Sequence, residues 1–274
     1  MLRKYSCVFL FAFWGLLIPK IEAKENDKSN LILISKSGIA HQAKDDLKSF
    51  HKKLKKKLNK SEQLVIVTTK DWDETEGTLS YYQKEKFSWK LIAEKIPVVI
   101  GKRGLGWGSG LIDFPKVTGP NKKEGDGKSP AGLFKLSSAF GYLPRDSVRW
   151  IKLPYLQSTE SVECVDDSIS NYYNKLVDTN TTKKDWKSFE RMKLRSNLYK
   201  YGIFIEHNSH PVVKGGGSCI FFHIWSENKT PSTGCTTLSE NKLIELLKWL
   251  SPGKNPTLLQ LTNEEFEKIA YLVR

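Results

Sequence analysis

The sequence predicts a mainly β domain of antiparallel strands with a few helices, preceded by a basic amphipathic helix. Three observations carry this. Between Leu64 and Trp225, β-branched and aromatic runs recur, each bounded by turn residues. Leu47, Phe50, Leu54 and Leu58 fall on one helical face, while Lys52, Lys53, Lys55, Lys56 and Lys57 fill the others. Finally, 274 residues that are 39% hydrophobic and 11% aromatic supply enough apolar bulk to offset chain ordering, which excludes a small disulfide-stapled fold.

Taken in order, residues 1–23 read as a signal peptide. Arg3 and Lys4 precede an apolar run from Tyr5 to Ile18, too short to span a bilayer as a helix, and Pro19 to Ala23 ends in a small residue. Residues 24–62 hold a polar segment and then the basic helix, from about Ala40 to Asn59. The main domain is expected over 63–261. Its first strands are Leu64–Thr69 and Ile96–Ile100. Gly101 to Gly110 (GKRGLGWGSG) has the spacing of a phosphate cradle, but Leu111 to Pro115 opens no helix there, so these glycines serve turns and close packing.

A turn-rich loop from Gly119 to Gly132 precedes a strand at Leu133–Leu136, and the stretch ECVDDSISNYYNKLV that ends at Val177 has no clear period. Tyr201–His207 and Cys219–Trp225 suit an antiparallel pair. Ser239 caps a helix that buries Leu243, Ile244, Leu246, Leu247 and Leu250. Pro256–Leu261 is a last strand, and Thr262 with Glu265 forms a capping box for a C-terminal helix over 262–274, running to Leu272.

The net charge is +14, or +12 once Arg3, Lys4, Lys20 and Glu22 leave with the signal, so the partner is anionic: nucleic acid, anionic lipid or an acidic wall polymer. Export disfavours nucleic acid and favours an acidic cell-wall polymer, and the expected location is the periplasm or cell envelope. Cys164, Cys219 and Cys235 remain after cleavage. An odd number fits one disulfide with one free thiol, or three buried reduced cysteines.

The strongest constellation is His223 near a strand end, followed twelve residues later by Cys235 in the turn Ser232-Thr233-Gly234-Cys235. A thiol needs a base or positive surroundings to become a thiolate, and a tight turn offers backbone N–H groups to an oxyanion. That equipment suits acyl transfer. His207, His210, Cys219 and His223 offer zinc-type atoms, but their spacing does not fix a tetrahedron, so no metal is expected. Glu206, Asp166 and Asp167 read as surface carboxylates rather than general acids.

The segment FFHIWSENKTPSTGCTTL resembles the active-site signature of the YkuD-type L,D-transpeptidases, and GKRGLGWG, KKEGDGKSPAGLF, AFGY, ECVDDSISNYYNKLV, FERM, YGIFIEHN and GSCIFFHIW extend the likeness from about Gln63 to Leu261. The resemblance implies a mostly β fold and a cofactor-free cysteine enzyme acting on peptidoglycan stem peptides, with a tetrapeptide donor and a diaminopimelate amine acceptor. It implies Cys235 as nucleophile, His223 as general base, and the backbone of Gly234 and Cys235 as oxyanion donors. Ser232 matches the family's small hydroxyl residue, and Ser232, Thr233, Trp225 and His207 are expected at the substrate. Many members carry an Arg where this chain has Thr237, so Arg191 or Lys128 is a candidate for holding a substrate carboxylate. The alternatives are an L,D-carboxypeptidase, an amidase or endopeptidase using the same acyl-enzyme, and a non-catalytic wall-binding protein. Cys235 is expected to be a free, partly exposed thiol within reach of His223.

Overall fold

A computed structural model describes residues 42, 44–86 and 88–273. The expected signal peptide and most of the polar segment lie outside these. The chain divides into two units, Met1–Asp46 and Leu47–Arg274. In the first, Gln42 Nε2 donates to Asp46 Oδ1 at 2.9 Å, one helical turn on.

A helix, α1, covers residues 44–58. Phe50, Leu54 and Leu58 are buried in the main core, whereas Leu47, expected on the same stripe, is 47% exposed. Lys52, Lys53, Lys55 and Lys56 are exposed. The strands follow as β1 (Gln63–Thr69), β2 (Glu76–Glu85), β3 (Ser88–Val99), β4 (Leu105–Trp107), β5 (Ser129–Gly141), β6 (Tyr155–Gln157), β7 (Val162–Val165), β8 (Leu176–Asp178), β9 (Phe189–Arg191), β10 (Tyr201–Ile205), β11 (Phe221–Ile224), β12 (Thr236–Leu238) and β13 (Thr257–Thr262). Between β12 and β13 lies α2 (Glu240–Trp249), and α3 (Asn263–Glu267) follows β13.

The fold is mainly β. Ten strands make one sheet in the order β10-β11-β12-β3-β2-β1-β13-β5-β4, with β6 added on β5. Because β10 also pairs with β5, the sheet closes on itself and wraps a core that includes Leu64, Ile66, Leu133, Ile203, Phe222 and Leu258. Most pairings are antiparallel, including the expected β10–β11 pair with Gly202 opposite His223. The pairs β1–β13, β11–β12, β4–β5 and β5–β6 are parallel. Such pairs need crossover connections, and the one between β11 and β12 carries the signature turn. A separate three-stranded sheet, β8-β7-β9, stands beside the closed one.

The β2–β3 hairpin is longer than the sequence indicates. Lys84, Glu85, Lys90, Glu94 and Lys95 interrupt its apolar alternation, because much of it faces solvent. Leu105–Trp107 forms a strand, not the mouth of a helix. Gly104 has φ +73°, and an added Cβ would sit 2.0 Å from the Trp72 carbonyl oxygen, so this glycine meets a turn and a close backbone approach together. Strand β5 begins at Ser129, inside the segment read as loop.

At the C-terminal end, Ser239 occupies the N-cap of α2 with extended torsions, but its side chain makes no capping bond. Thr262 does cap α3, accepting from the Glu265 N–H at 3.2 Å. The expected last helix is interrupted: Ile269, at φ −128° and ψ 1°, leaves helical torsions, and a short 3-10 turn follows at Ala270–Leu272. Burial of Ile269 and Ala270 outweighs continuation of the helix.

Candidate active site

In the β11–β12 ladder, Phe222 lies opposite Thr236 and His223 opposite Thr237. Alternation along the strands sends Phe222, Ile224 and Leu238 into the main core and leaves Phe221, His223 and Cys235 on the other face. There Cys235 joins a second cluster with Tyr199, Phe221, Met192 and the Cys164–Cys219 pair. Those two cysteines form a disulfide with Cα atoms 6.0 Å apart, and Cys235 is the free thiol.

The thiol is buried, at 5% exposure, which corrects the expectation of a partly exposed one. Packing by Phe221 and Tyr199 and the neighbouring disulfide covers it. The Phe221 N–H donates to Sγ at 3.3 Å, and Sγ lies 3.6 Å from the Cys219 carbonyl. Burial pushes the thiol pKa far above its ordinary value and the nearby Glu190 adds to this, against smaller opposing effects of the Phe221 N–H, Lys122 and the Tyr199 hydroxyl. The resting thiol is therefore protonated.

His223 is 7% exposed, and its burial lowers the imidazole pKa to about 4, so it is neutral near pH 7. Its Nδ1 meets the Ile224 carbonyl at 2.8 Å, an arrangement that puts the proton on Nδ1 and leaves Nε2 as the acceptor. The Tyr199 ring packs edge-on against it, with centroids 4.8 Å apart. Among the described residues no hydrogen bond joins His223 to Cys235.

The signature turn is tied internally. Ser232 Oγ donates to the Cys235 carbonyl at 2.6 Å and accepts from the Gly234 N–H at 3.0 Å. That second bond occupies one of the two backbone donors expected to hold an oxyanion. Ser129 Oγ donates to the Gly234 carbonyl at 2.7 Å and accepts from the Gly101 N–H at 2.9 Å, pinning the turn to the glycine-rich segment. A Cβ on Gly234 would crowd Ile220 Cδ1 at 3.1 Å and the Lys128 carbonyl at 3.2 Å.

Cys235, Gly234 and Thr233 line a cleft of about 340 Å³ whose other walls include Lys122, Glu124, Asp166, Glu190 and Ile220. His223, Ser232, Trp225 and His207 are not among its lining residues. Trp225 is half-buried beneath Lys229, whose Nζ is 4.8 Å from the ring centroid. His207 is 1% exposed, takes the Ser109 N–H on Nδ1 at 3.3 Å, and meets the Gly216 carbonyl through Nε2 at 2.9 Å. Burial, then the charge of Lys122, lowers its pKa to about 4. It braces the wall behind the cleft.

Thr237, at the position of the missing Arg, is buried and donates to the Val99 carbonyl at 3.0 Å. Of the two candidate replacements, Lys128 Nζ is held by the Arg103 carbonyl and Asp73, whereas Arg191 is exposed and lies over Phe189, a residue of the cleft wall, with Cζ 5.6 Å from the ring centroid. The cation at the cleft is Lys122, paired with Asp126 at 2.7 Å. Cys219 is committed to its disulfide, which removes the thiolate from the zinc-type set. No group of three or more His, Cys, Asp or Glu among the described residues is arranged to hold a metal ion.

The stretch without a clear period is a clamp. Tyr173 donates to Glu124 at 2.5 Å, Asn174 Nδ2 donates to the His207 and Asn208 carbonyls at 2.9 Å, and Asn174 Oδ1 accepts from the Cys219 N–H at 3.0 Å. Asp167 caps a local turn through the Ile169 N–H at 3.0 Å and accepts from the Lys187 N–H of a distant segment at 2.8 Å. Lys122, Glu124 and Ser129 fall in the turn-rich loop that the sequence marks out, but none of the three was singled out by itself; Glu190 and Tyr199 were not singled out either, Glu190 being signalled only by its place in the segment FERM.

Residues 71–258 match the model of the YkuD family, the L,D-transpeptidase catalytic domain. The chain belongs to that family. Its activity is acyl transfer on peptidoglycan, and the matched span contains the entire cleft just described. Searches of curated proteins and of solved structures each returned no match.

Proposed function

We propose that this protein is an exported L,D-transpeptidase that works through a Cys235 acyl-enzyme and forms 3→3 crosslinks between stem peptides. One observation supports this above the others: the sole free cysteine among the described residues lines the cleft on the signature turn of the matched domain, on the same sheet face as a neutral histidine. In this reading Cys235 Sγ attacks the carbonyl at the L-centre of the tetrapeptide's diaminopimelate and expels the terminal D-alanine. The thioester persists while water is kept out, and the loop carrying Lys122, Glu124 and Gly125 over the cleft supports that role. His223 Nε2 then takes a proton from the diaminopimelate amine of a second stem, which attacks the thioester. Lys122 beside Glu124 and Asp166 offers both charges to a zwitterionic diaminopimelate centre.

Export fits the signal-like segment of residues 1–23 and the disulfide, a bond favoured in oxidising compartments. The lysines of α1, together with Lys60, form the surface proposed for an acidic wall polymer. Lys53, Lys56, Lys57 and Lys60 line one groove with Leu111, Ile112 and Asp113. Binding to sacculi should weaken steadily as salt rises; salt-independent pelleting would remove the electrostatic contribution. The reaction itself is tested by mass spectrometry of defined muropeptides after incubation with the purified protein. A 3→3 dimer is expected; release of D-alanine without dimer, even at high acceptor concentration, would replace transpeptidase by carboxypeptidase.

A further inference from the structure

The Ser232 hydroxyl takes the Gly234 N–H, so one of the two backbone donors expected at an oxyanion is already engaged. A charged donor stands beside it. The Lys122 side chain, 3% exposed, runs past Gly217, where a Cβ would sit 3.1 Å from Lys122 Cε, and ends at Gly234, where a Cβ would sit 3.8 Å from Lys122 Nζ. Lys122, Gly234 and Cys235 line the same cleft. Of the three ammonium hydrogens, one goes to the Asp126 carboxylate at 2.7 Å and one to the Lys123 carbonyl at 3.0 Å. Asp126 is itself fixed, accepting from the Lys123 and Lys128 N–H groups at 2.7 and 2.9 Å.

We propose that the Lys122 ammonium, anchored by Asp126 beside Gly234, receives the oxyanion formed when Cys235 attacks the donor carbonyl, which makes Lys122 a catalytic residue and Asp126 a positioning one. This rests on Cys235 being the nucleophile. In the attack, the Cys235 proton goes to His223, the general base of the proposed reaction, Sγ bonds to the carbonyl carbon, and the π pair of the C=O bond moves onto the oxygen. Collapse returns that pair, breaks the bond to the amine of D-alanine, and His223 gives the departing amine its proton. Lys122 stays protonated throughout and exchanges no proton.

The argument is electrostatic. Glu124, Asp166 and Glu190 bring carboxyls to the cleft, and among the described residues that line it Lys122 is the cation. An oxyanion formed without that cation would add a negative charge to a partly desolvated wall already rich in carboxyls. An ammonium held in place before the reaction stabilises the new charge with no reorganisation at the moment of attack. Its field already reaches the reacting atom: burial and then Glu190 raise the Cys235 thiol pKa, and Lys122 is among the groups that oppose the rise.

The test compares two reactions of Cys235 on the full mature protein: acylation by p-nitrophenyl acetate, which passes through an oxyanion, and alkylation by iodoacetamide, which displaces iodide and forms none. Both use the thiolate, so an effect of Lys122 on the thiol pKa or on packing moves the two rates together and cancels in their ratio. Modification at Cys235 is read by peptide mass spectrometry, with melting temperature followed in parallel. Lys122→Met should lower the acylation-to-alkylation ratio by about a hundredfold, and a fall of less than about tenfold overturns the proposal. If Lys122→Met fails to fold, the double variant Lys122→Met/Asp126→Asn, which strands no carboxylate, decides on the same ratio. With a tetrapeptide muropeptide, Lys122→Met should lose acylation rate at saturation. An unchanged saturating rate with weaker binding would make Lys122 a substrate-binding residue only and would overturn its catalytic role. A wild type acylated by the ester but not by the muropeptide would remove the transpeptidase reading alone, and the ratio would still decide for or against Lys122.

Discussion

Removing the Cys164–Cys219 disulfide is the perturbation whose size follows most directly from the fold. It joins β7 of the small sheet to the segment entering β11, across a sequence separation of 55 residues. Closing a loop of that length removes denatured-state entropy equivalent to about 4 kcal/mol at 25 °C. For a domain of this size each kcal/mol shifts the melting temperature by about 2–4 °C, so the double variant Cys164→Ala/Cys219→Ala should melt roughly 8–16 °C lower. Calorimetry on the oxidised wild type, the reduced wild type and the double variant measures this, and the last two should agree. The bridge also fixes Cys219, whose carbonyl faces Cys235 Sγ and whose N–H is held by Asn174. Alkylation at Cys235 should change with the bridge as well. A double variant melting within about 2 °C of the oxidised wild type would refute the reasoning, because the bridge would then constrain little of the unfolded chain.

Cys235→Ala should abolish acyl-enzyme formation. Because it empties a buried site and strands the Phe221 N–H, it should also cost about 1–2 kcal/mol, seen as a small fall in melting temperature. Gly104→Ala should destabilise by about 2–4 kcal/mol in denaturant unfolding, since φ is +73° and the Trp72 carbonyl blocks the new methyl group. His207 and His223 titrate near 4 when folded and near 6.5 when unfolded, so the unfolded chain binds more protons in that window and stability falls as pH drops through it. Glu190, raised to about 7, contributes the opposite slope, lost as pH rises through 7, so Glu190→Gln should steepen the acid fall in thermal melts between pH 6.5 and 4.5.

The parts of the fold legible in the sequence were those with one buried face. Gln63–Thr69, Tyr201–Ile205 and Phe221–Ile224 are apolar runs bounded by turns, and the Thr262 cap is written in residue type and spacing. The β2–β3 hairpin was hidden because both faces carry charge, and β7–β9 because each strand is only three or four residues long. The Cys-His pair and its Ser-Thr-Gly lead-in were visible as local chemistry. The cleft walls were not, since Lys122, Glu124, Asp166, Glu190 and Ser218 come from four separate stretches whose meeting depends on sheet closure and the Asn174 clamp. Sequence proximity to the signature turn likewise does not say which wall a side chain faces: His223, Ser232, Trp225 and His207 all lie off the lining of this cleft.

The central claim, that Cys235 carries the acyl group, is tested most directly by intact mass spectrometry of the protein mixed with a tetrapeptide muropeptide and quenched in acid. The account predicts an adduct equal to the donor less D-alanine, mapped to the peptide containing Cys235, sensitive to hydroxylamine and missing in Cys235→Ser. An adduct of that mass that persists in Cys235→Ser, or product formation by that variant at the wild-type rate, would contradict it.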